Sequence, residues 1–171
     1  MVQLNHSMPL NNQQERLEAA WICGFTDGEG CFSVSIIRNS TTSSGWQVFP
    51  EFVVTQGEKS RKALEFMREY FDCGQIYINR RRDNHNEHLL RYCVRSQQTL
   101  REKIVPFFLK YQLRTEKLKD FQKFVEILKL MEQKKHLQKK GLKRIAKIIQ
   151  TMNRKVSSRY LESSETKRRA S

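Results

Sequence analysis

The sequence predicts an α+β domain, a four-stranded antiparallel sheet with helices packed on one of its faces. Two observations predict it. Apolar and polar residues alternate with a period of two over 32–38, 46–55, about 74–81 and about 89–95, which marks four strands. Apolar residues recur three and four apart before, between and after the two strand pairs, which marks helices. The order is therefore helix, two strands, helix, two strands, helices.

Asn12 and Glu15 have the spacing of a capping box, and the helix they open runs to about Thr26. Within it Leu17, Ala20, Trp21, Gly24 and Phe25 recur at helical spacing. Ala20 and Gly24, one turn apart, make a face of small side chains that a second surface can approach closely, either in the same chain or in another copy. The first strand puts Phe32, Val34 and Ile36 on one side and Ser33, Ser35 and Ile37 on the other. A Ser/Thr/Gly-rich turn over 39–45 leads to the second strand. There Val48, Phe52 and Val54 share a face, and Pro50 places the strand at an edge or a bulge.

A helix at about 60–72 buries Ala63, Leu64, Met67, Tyr70 and Phe71. In the third strand Ile76 and Ile78 face inward, with Tyr77, Asn79 and Arg81 outward. In the fourth, Leu90, Tyr92 and Val94 oppose Leu89, Arg91, Cys93 and Arg95. Ser96 caps a short helix ending at Val105-Pro106, and Thr115 caps a longer one carrying Leu118, Phe121, Val125 and Leu128. A last, basic helix spans about 139–153, with Leu142, Ile145, Ile149 and Met152 on one side. The expected organisation is a flexible 1–11, a domain over 12–153, and a flexible basic tail over 154–171.

At 171 residues the chain suits one domain that buries about 70% of its unfolded surface. The net charge of +14 is unevenly placed: residues 1–100 carry 11 basic and 11 acidic side chains, residues 101–171 carry 21 and 7. A basic half on a neutral half suits a polyanionic partner or a solubilising tail. No apolar run reaches the roughly 18 residues of a membrane span. The first 14 residues lack the basic and apolar regions of a secretory signal, so an intracellular, non-secreted protein is expected. Cys23, Cys31, Cys73 and Cys93 form no C-x-x-C pair and fit reduced, apolar roles. His85 and His88 lack the cysteine or histidine neighbours of a zinc site.

The segment Ile22-Cys23-Gly24-Phe25-Thr26-Asp27-Gly28-Glu29-Gly30 joins the first helix to the first strand. Glycines 28 and 30 are expected to let the backbone leave the helix through conformations a Cβ would resist. Carboxylates at a helix C-terminus face the negative end of its dipole, so they suit a bound cation or nearby donors better than helix stability. The sheet's second face carries Ser, Gln, Asn, Tyr and Arg, which suits base edges in a DNA major groove as well as plain solvation.

This segment resembles the signature of the LAGLIDADG homing endonucleases, here ICGFTDGEG. Landmarks in similar order extend the resemblance over roughly 17–153: Phe52-Val53-Val54-Thr55-Gln56, Gly74-Gln75-Ile76, Val105-Pro106-Phe107-Phe108, Leu113-Arg114-Thr115-Glu116-Lys117 and Gly141-Leu142-Lys143-Arg144-Ile145. The departures are Ile22-Cys23 for Leu-Ala and Glu29 for the commoner Asp. The resemblance implies an αββαββα core with C-terminal helices and a group I intron-encoded, single-motif homodimer meeting through Ala20, Gly24 and Asp27. It implies an enzyme that hydrolyses both strands of a long pseudo-palindromic DNA site to short 3′ overhangs, in an organelle or a bacterial cytoplasm.

By the same resemblance, Glu29 and the Gly28 carbonyl hold Mg2+ or Mn2+, Gln56 positions water, and Lys117, with Arg114 as alternative, offsets charge at the scissile phosphate. Ser33, Ser35, Ile37, Asn39, Gln47, Tyr77, Asn79, Arg81 and Arg91 become the expected DNA contacts, and Arg61 or Lys62 a further phosphate contact. The rival expectations are an RNA maturase acting on its intron RNA and a non-catalytic DNA-binding regulator.

Overall fold

In the computed structural model, which describes residues 10–79 and 88–152, the four alternating runs become one antiparallel sheet in the order β1-β2-β4-β3. The strands are β1 (Gly30–Arg38), β2 (Trp46–Gly57), β3 (Gln75–Asn79) and β4 (Leu89–Val94). Around them run α1 (Leu10–Glu29), α2 (Arg61–Phe71), α3 (Gln97–Thr99), α4 (Val105–Lys110), α5 (Lys117–Glu132) and α6 (Lys139–Ile149). Arg81, the polar loop over 82–87 with His85, and the tail over 154–171 lie outside the described residues.

One face of the sheet is closed by helices. Phe32, Val34 and Ile36 of β1, Val48, Phe52 and Val54 of β2, and Leu90, Tyr92 and Val94 of β4 all belong to the buried core. Leu64 and Met67 of α2, Phe108 of α4, Phe121 and Phe124 of α5, and Leu142 and Ile145 of α6 complete it. Aromatic rings set its centre: Phe32 lies 5.0 Å from the rings of Phe52 and Phe121, 5.3 Å from Phe108 and 5.5 Å from Phe124. The period of two thus sorts β1 and β4 as expected.

Several local expectations need correction. The first helix begins at Leu10, so Asn12 sits inside its first turns. The Glu15 carboxylate reaches Lys110 Nζ at 3.1 Å and the Tyr111 hydroxyl at 3.0 Å, tying α1 to the end of α4 where a capping box would turn it back. The same helix runs three residues past Thr26, through the acidic segment to Glu29. β2 is a central strand, yet it tolerates Pro50 because β4 pairs only with its second half, from Phe52 to Gly57. Pro50 faces Val34 of β1, and the side of it away from β1 owes no donor to a ladder.

Ile78 was expected inward and is half exposed, because it lies near the end of the edge strand β3. The short helix also passes Pro106: α3 continues through a π-helical turn at Leu100–Ile104 into α4, where the proline stands in the first turn and needs no donor. Its expected cap holds, since Ser96 Oγ accepts from the Thr99 N–H at 3.3 Å. Gly74 turns the chain from α2 into β3 with a φ of 82°, and a Cβ there would stand 2.5 Å from the Tyr92 ring.

Candidate active site and sheet interface

The acidic segment is anchored by its own carboxylate and its own carbonyl. Asp27 accepts from the Arg114 N–H at 2.8 Å, the Thr115 N–H at 3.2 Å and the Thr115 hydroxyl at 2.7 Å. These three donors offset the helix-end field that disfavours a carboxylate there. Thr115 was expected to cap α5, but Glu116 holds the N-cap position and no described side chain caps it; the Thr115 hydroxyl instead accepts from the Lys117 N–H at 3.3 Å in the turn ahead of the helix. The Lys117 ammonium donates to the Gly30 carbonyl. The loop ahead of α5 is therefore tied to the end of α1 at both Asp27 and Gly30.

Gly30 is the residue this junction demands. Its φ is not positive, and the same holds for Gly28, so neither leaves the helix by the left-handed route expected of it. The need at Gly30 is space: a Cβ would lie 2.6 Å from Thr26 Cγ2 and 2.8 Å from the Thr26 carbonyl oxygen. Thr26 itself is fully buried, and its hydroxyl has no partner among the described residues. Close packing of Thr26 over Gly30 thus fixes where α1 gives way to β1.

Glu29, between these anchors, is exposed, and among the described residues its carboxylate makes no hydrogen bond or ion pair. Gln56, half-buried at the end of β2, lies two residues beyond Val54, the register partner of Gly30, and so shares the sheet edge from which Glu29 projects. Glu29 and Lys117 are thus brought to the Gly30 junction, and Gln56 lies at the same end of the sheet. Arg114 is exposed and joins that junction through its backbone. Arg61 faces the α2 start and pairs with Glu58 at 3.6 Å and Glu65 at 4.0 Å. Hard oxygen donors such as the Glu29 carboxylate and the Gly28 carbonyl suit a magnesium-sized ion. The described residues contain no group of three or more His, Cys, Asp or Glu that could hold one.

On α1, Ala20 and Gly24 are exposed, and nothing stands within 4 Å of where a Gly24 Cβ would be. An open cleft of about 980 Å³ runs along this face, lined among others by Ala20, Cys23, Gly24, Asp27 and Arg114. Cys23, at its floor, donates to the Tyr111 carbonyl at 3.2 Å, and burial pushes its thiol up to about 11.

The second face of the sheet is open. Ser35, Ile37, Tyr77 and Asn79 are exposed there, with Ser33, Gln47 and Arg91 half-buried. The Asn39 side-chain amide donates to Gln47 Oε1 at 2.8 Å, and its Oδ1 accepts from the Thr41 N–H and hydroxyl at the hairpin turn. Two residues here escaped sequence reading. Glu51 is 8% exposed and holds Arg91 at 3.1 Å and Arg95 at 2.5 Å. The Arg95 guanidinium lies over the Tyr77 ring at 5.0 Å and the Phe49 ring at 5.7 Å. The signal available in the sequence was an acid at an outward position of β2 and two arginines four apart, one in β4 and one just past its end.

Comparison with known proteins agrees with this fold. The family described as LAGLIDADG endonuclease matches residues 22–128. Probable intron-encoded endonuclease 2 of Neurospora crassa is 35% identical over 147 residues, covering 86% of this chain and 32% of that protein. DNA endonuclease I-CeuI of Chlamydomonas moewusii is 31% identical over 119 residues, 68% of this chain and 53% of that protein. The chain thus spans about a third to a half of the length of these relatives. Among solved structures, the homing endonuclease I-TnaI superposes with a TM-score of 0.76 at 38% identity, covering 86% of this chain and 96% of that one. The I-SmaMI LAGLIDADG homing endonuclease bound to cleaved DNA superposes at 0.75 and 34% identity, covering 88% and 47%. With the family match spanning residues 22–128 and the fold superposing on a homing endonuclease, the chain belongs to the LAGLIDADG endonuclease family.

Proposed function

We propose that this chain is a sequence-specific double-strand DNA endonuclease of the intron-homing kind, acting as a two-fold homodimer on a long pseudo-palindromic site and leaving short 3′ overhangs. The observation that carries the reading is the Lys117 ammonium on the Gly30 carbonyl, one residue from a carboxylate that no other described side chain engages. A structural acid at a helix end would be satisfied as Asp27 is.

In this reading Glu29 and the Gly28 carbonyl hold Mg2+ or Mn2+, which when bound activates water and offsets charge on the leaving oxygen. Lys117 holds a positive charge beside the scissile phosphate, its stem fixed through Gly30. Gln56 orients the attacking water from the strand end. Two chains bring their small-residue α1 faces together at Ala20 and Gly24, with Asp27 flanking the contact, and each supplies one acidic rim. That I-SmaMI, named as bound to cleaved DNA, matches this chain over 47% of its own length supports a working unit of about two such folds. The open sheet face, with Ser33, Ser35, Ile37, Gln47, Tyr77, Asn79 and Arg91, reads base edges. Names such as intron-encoded endonuclease among the relatives support an intron as the genetic setting.

The test is selection of cleaved members from a randomised duplex library, with and without Mg2+. Glu29→Gln should abolish cleavage and keep binding, and Lys117→Met should slow cleavage. Cleavage retained by Glu29→Gln rejects the assignment, and cleaved sites without two-fold symmetry reject the homodimer.

A further inference from the structure

Glu51 is an acid in an unexpected place. It stands mid-strand on the open face, the side that would meet a polyanion, where a carboxylate repels phosphate. Its side chain is nevertheless 11% exposed, against 37% for Arg91 and 39% for Arg95. The burial follows from the register. Val53 pairs with Cys93, and Thr55 with Arg91, so Arg91 starts two rows away and must cross the Val53–Cys93 row to reach Glu51. Val53 and Cys93, in the row it crosses, are buried outside the helix-side core, as a long side chain laid over them would make them.

The two guanidiniums meet the carboxylate differently. Arg95 donates through Nε, so its two terminal nitrogens have no partner among the described residues. Arg91 donates through one terminal nitrogen, Nη2. The Arg95 plane is fixed further by the Tyr77 and Phe49 rings. An arginine that reads guanine does so with two parallel N–H groups, and it discriminates best when its plane is fixed before the base arrives.

Resting on the DNA-reading function proposed above, we infer that Glu51 is a positioning residue for base recognition: it orients Arg91 and Arg95 toward guanine edges and makes Arg95 a specificity-determining contact. Tyr77 then acts as the platform beneath Arg95 as well as a contact in its own right. A stability role alone fits less well, because a buried acid held by two partly exposed arginines gains little over an apolar residue of that size.

The experiment compares base preference at every position of a selected duplex pool for the full chain, Glu51→Gln, Arg95→Lys and the double variant. Glu51→Gln should lose preference for guanine at one two-fold-related pair of positions by roughly tenfold or more. Preference elsewhere should be kept, and affinity for random duplex should be kept or rise, since one repulsive charge is removed. Arg95→Lys, which keeps the charge and loses the fork, should lose preference at the same positions. The double variant should be no worse there than the worse single variant. If Glu51→Gln does not fold, Arg95→Lys alone decides, because an unchanged preference in it overturns the inference. So does an unchanged preference in Glu51→Gln, an even loss across all positions, or independent losses that multiply. A wild-type chain that selects no sequence overturns the DNA-reading function itself, and this inference with it.

Discussion

On the helix-covered face of the sheet, Phe32, Phe52 and Tyr92 are fully buried among aromatic and aliphatic neighbours. One residue along the same strand from Phe52, on the open face, Glu51 is nearly as deeply buried and is held by Arg91 and Arg95. Equal burial here rests on opposite physics. The first face gains from removing apolar surface from water, a non-directional force that tolerates many neighbours. The second spends hydration of three charges to fix two guanidinium planes, a directional arrangement with small net stability. The covered face should therefore answer for folding, and the open face for what the protein recognises.

Substitution at the centre of the covered face gives the largest expected effect. Phe32→Ala removes a ring that touches four others and should cost about 3–5 kcal/mol, read as a lowered urea midpoint with an unchanged slope. Gly30→Ala, at the junction between helix and sheet, comes next. Its Cβ meets the Thr26 carbonyl at 2.8 Å, backbone that moves only with the helix, so a cost of about 1–3 kcal/mol is expected. Cleavage should fall by more than the lost stability accounts for, because Glu29 and the Lys117 anchor shift with it. Glu51→Gln should cost less than about 1 kcal/mol, since both arginines are more than a third exposed and can rehydrate. A loss as large as that of Phe32→Ala would break the contrast between the faces.

The two faces also differ in how far the sequence disclosed them. Period-two alternation placed Phe32, Val34, Leu90 and Tyr92 correctly because burial against helices is a property of each residue alone. It could not place Glu51, whose burial depends on a strand forty residues away folding Arg91 across Val53. The candidate rim was legible as a motif: the acidic helix end was read from its setting and the roles of Glu29 and Lys117 from the family resemblance, and the α1–α5 junction ties Asp27 to Thr115 and Lys117 to Gly30. The role of Gly30 was misread for a similar reason as Glu51. A glycine suggests a special dihedral angle, whereas here it answers the approach of Thr26, which only the folded helix reveals. Pro50 was misread because the pairing of β2 changes halfway along its length.

The smallest expected effect compares a thiol on each face. Burial raises the ionisation range of both Cys23, in α1 against the core, and Cys93, on the open face. Their charged neighbours differ: Asp27 pushes Cys23 further up and Arg114 draws it back, while Arg91 and Arg95 draw Cys93 down against Glu51. Cys23 reaches about 11 from an ordinary 9.0, so folding favours its neutral form. A raised value contributes stability that is complete below pH 9 and is lost as pH climbs toward 11. At pH 9 the loss from Cys23 is about 0.4 kcal/mol, too small to unfold the chain but measurable as a difference. Urea midpoints of wild type and Cys23→Ala should draw together by that amount between pH 7 and pH 9 and further as pH climbs toward 11, the range in which those of wild type and Cys93→Ala draw together by less, because Arg91 and Arg95 work against the upward push of burial and Glu51 on that thiol. Equal convergence of the two variants above pH 9 would mean that Arg91 and Arg95 do not offset burial and Glu51 at Cys93, which would break the arrangement of charges on the open face.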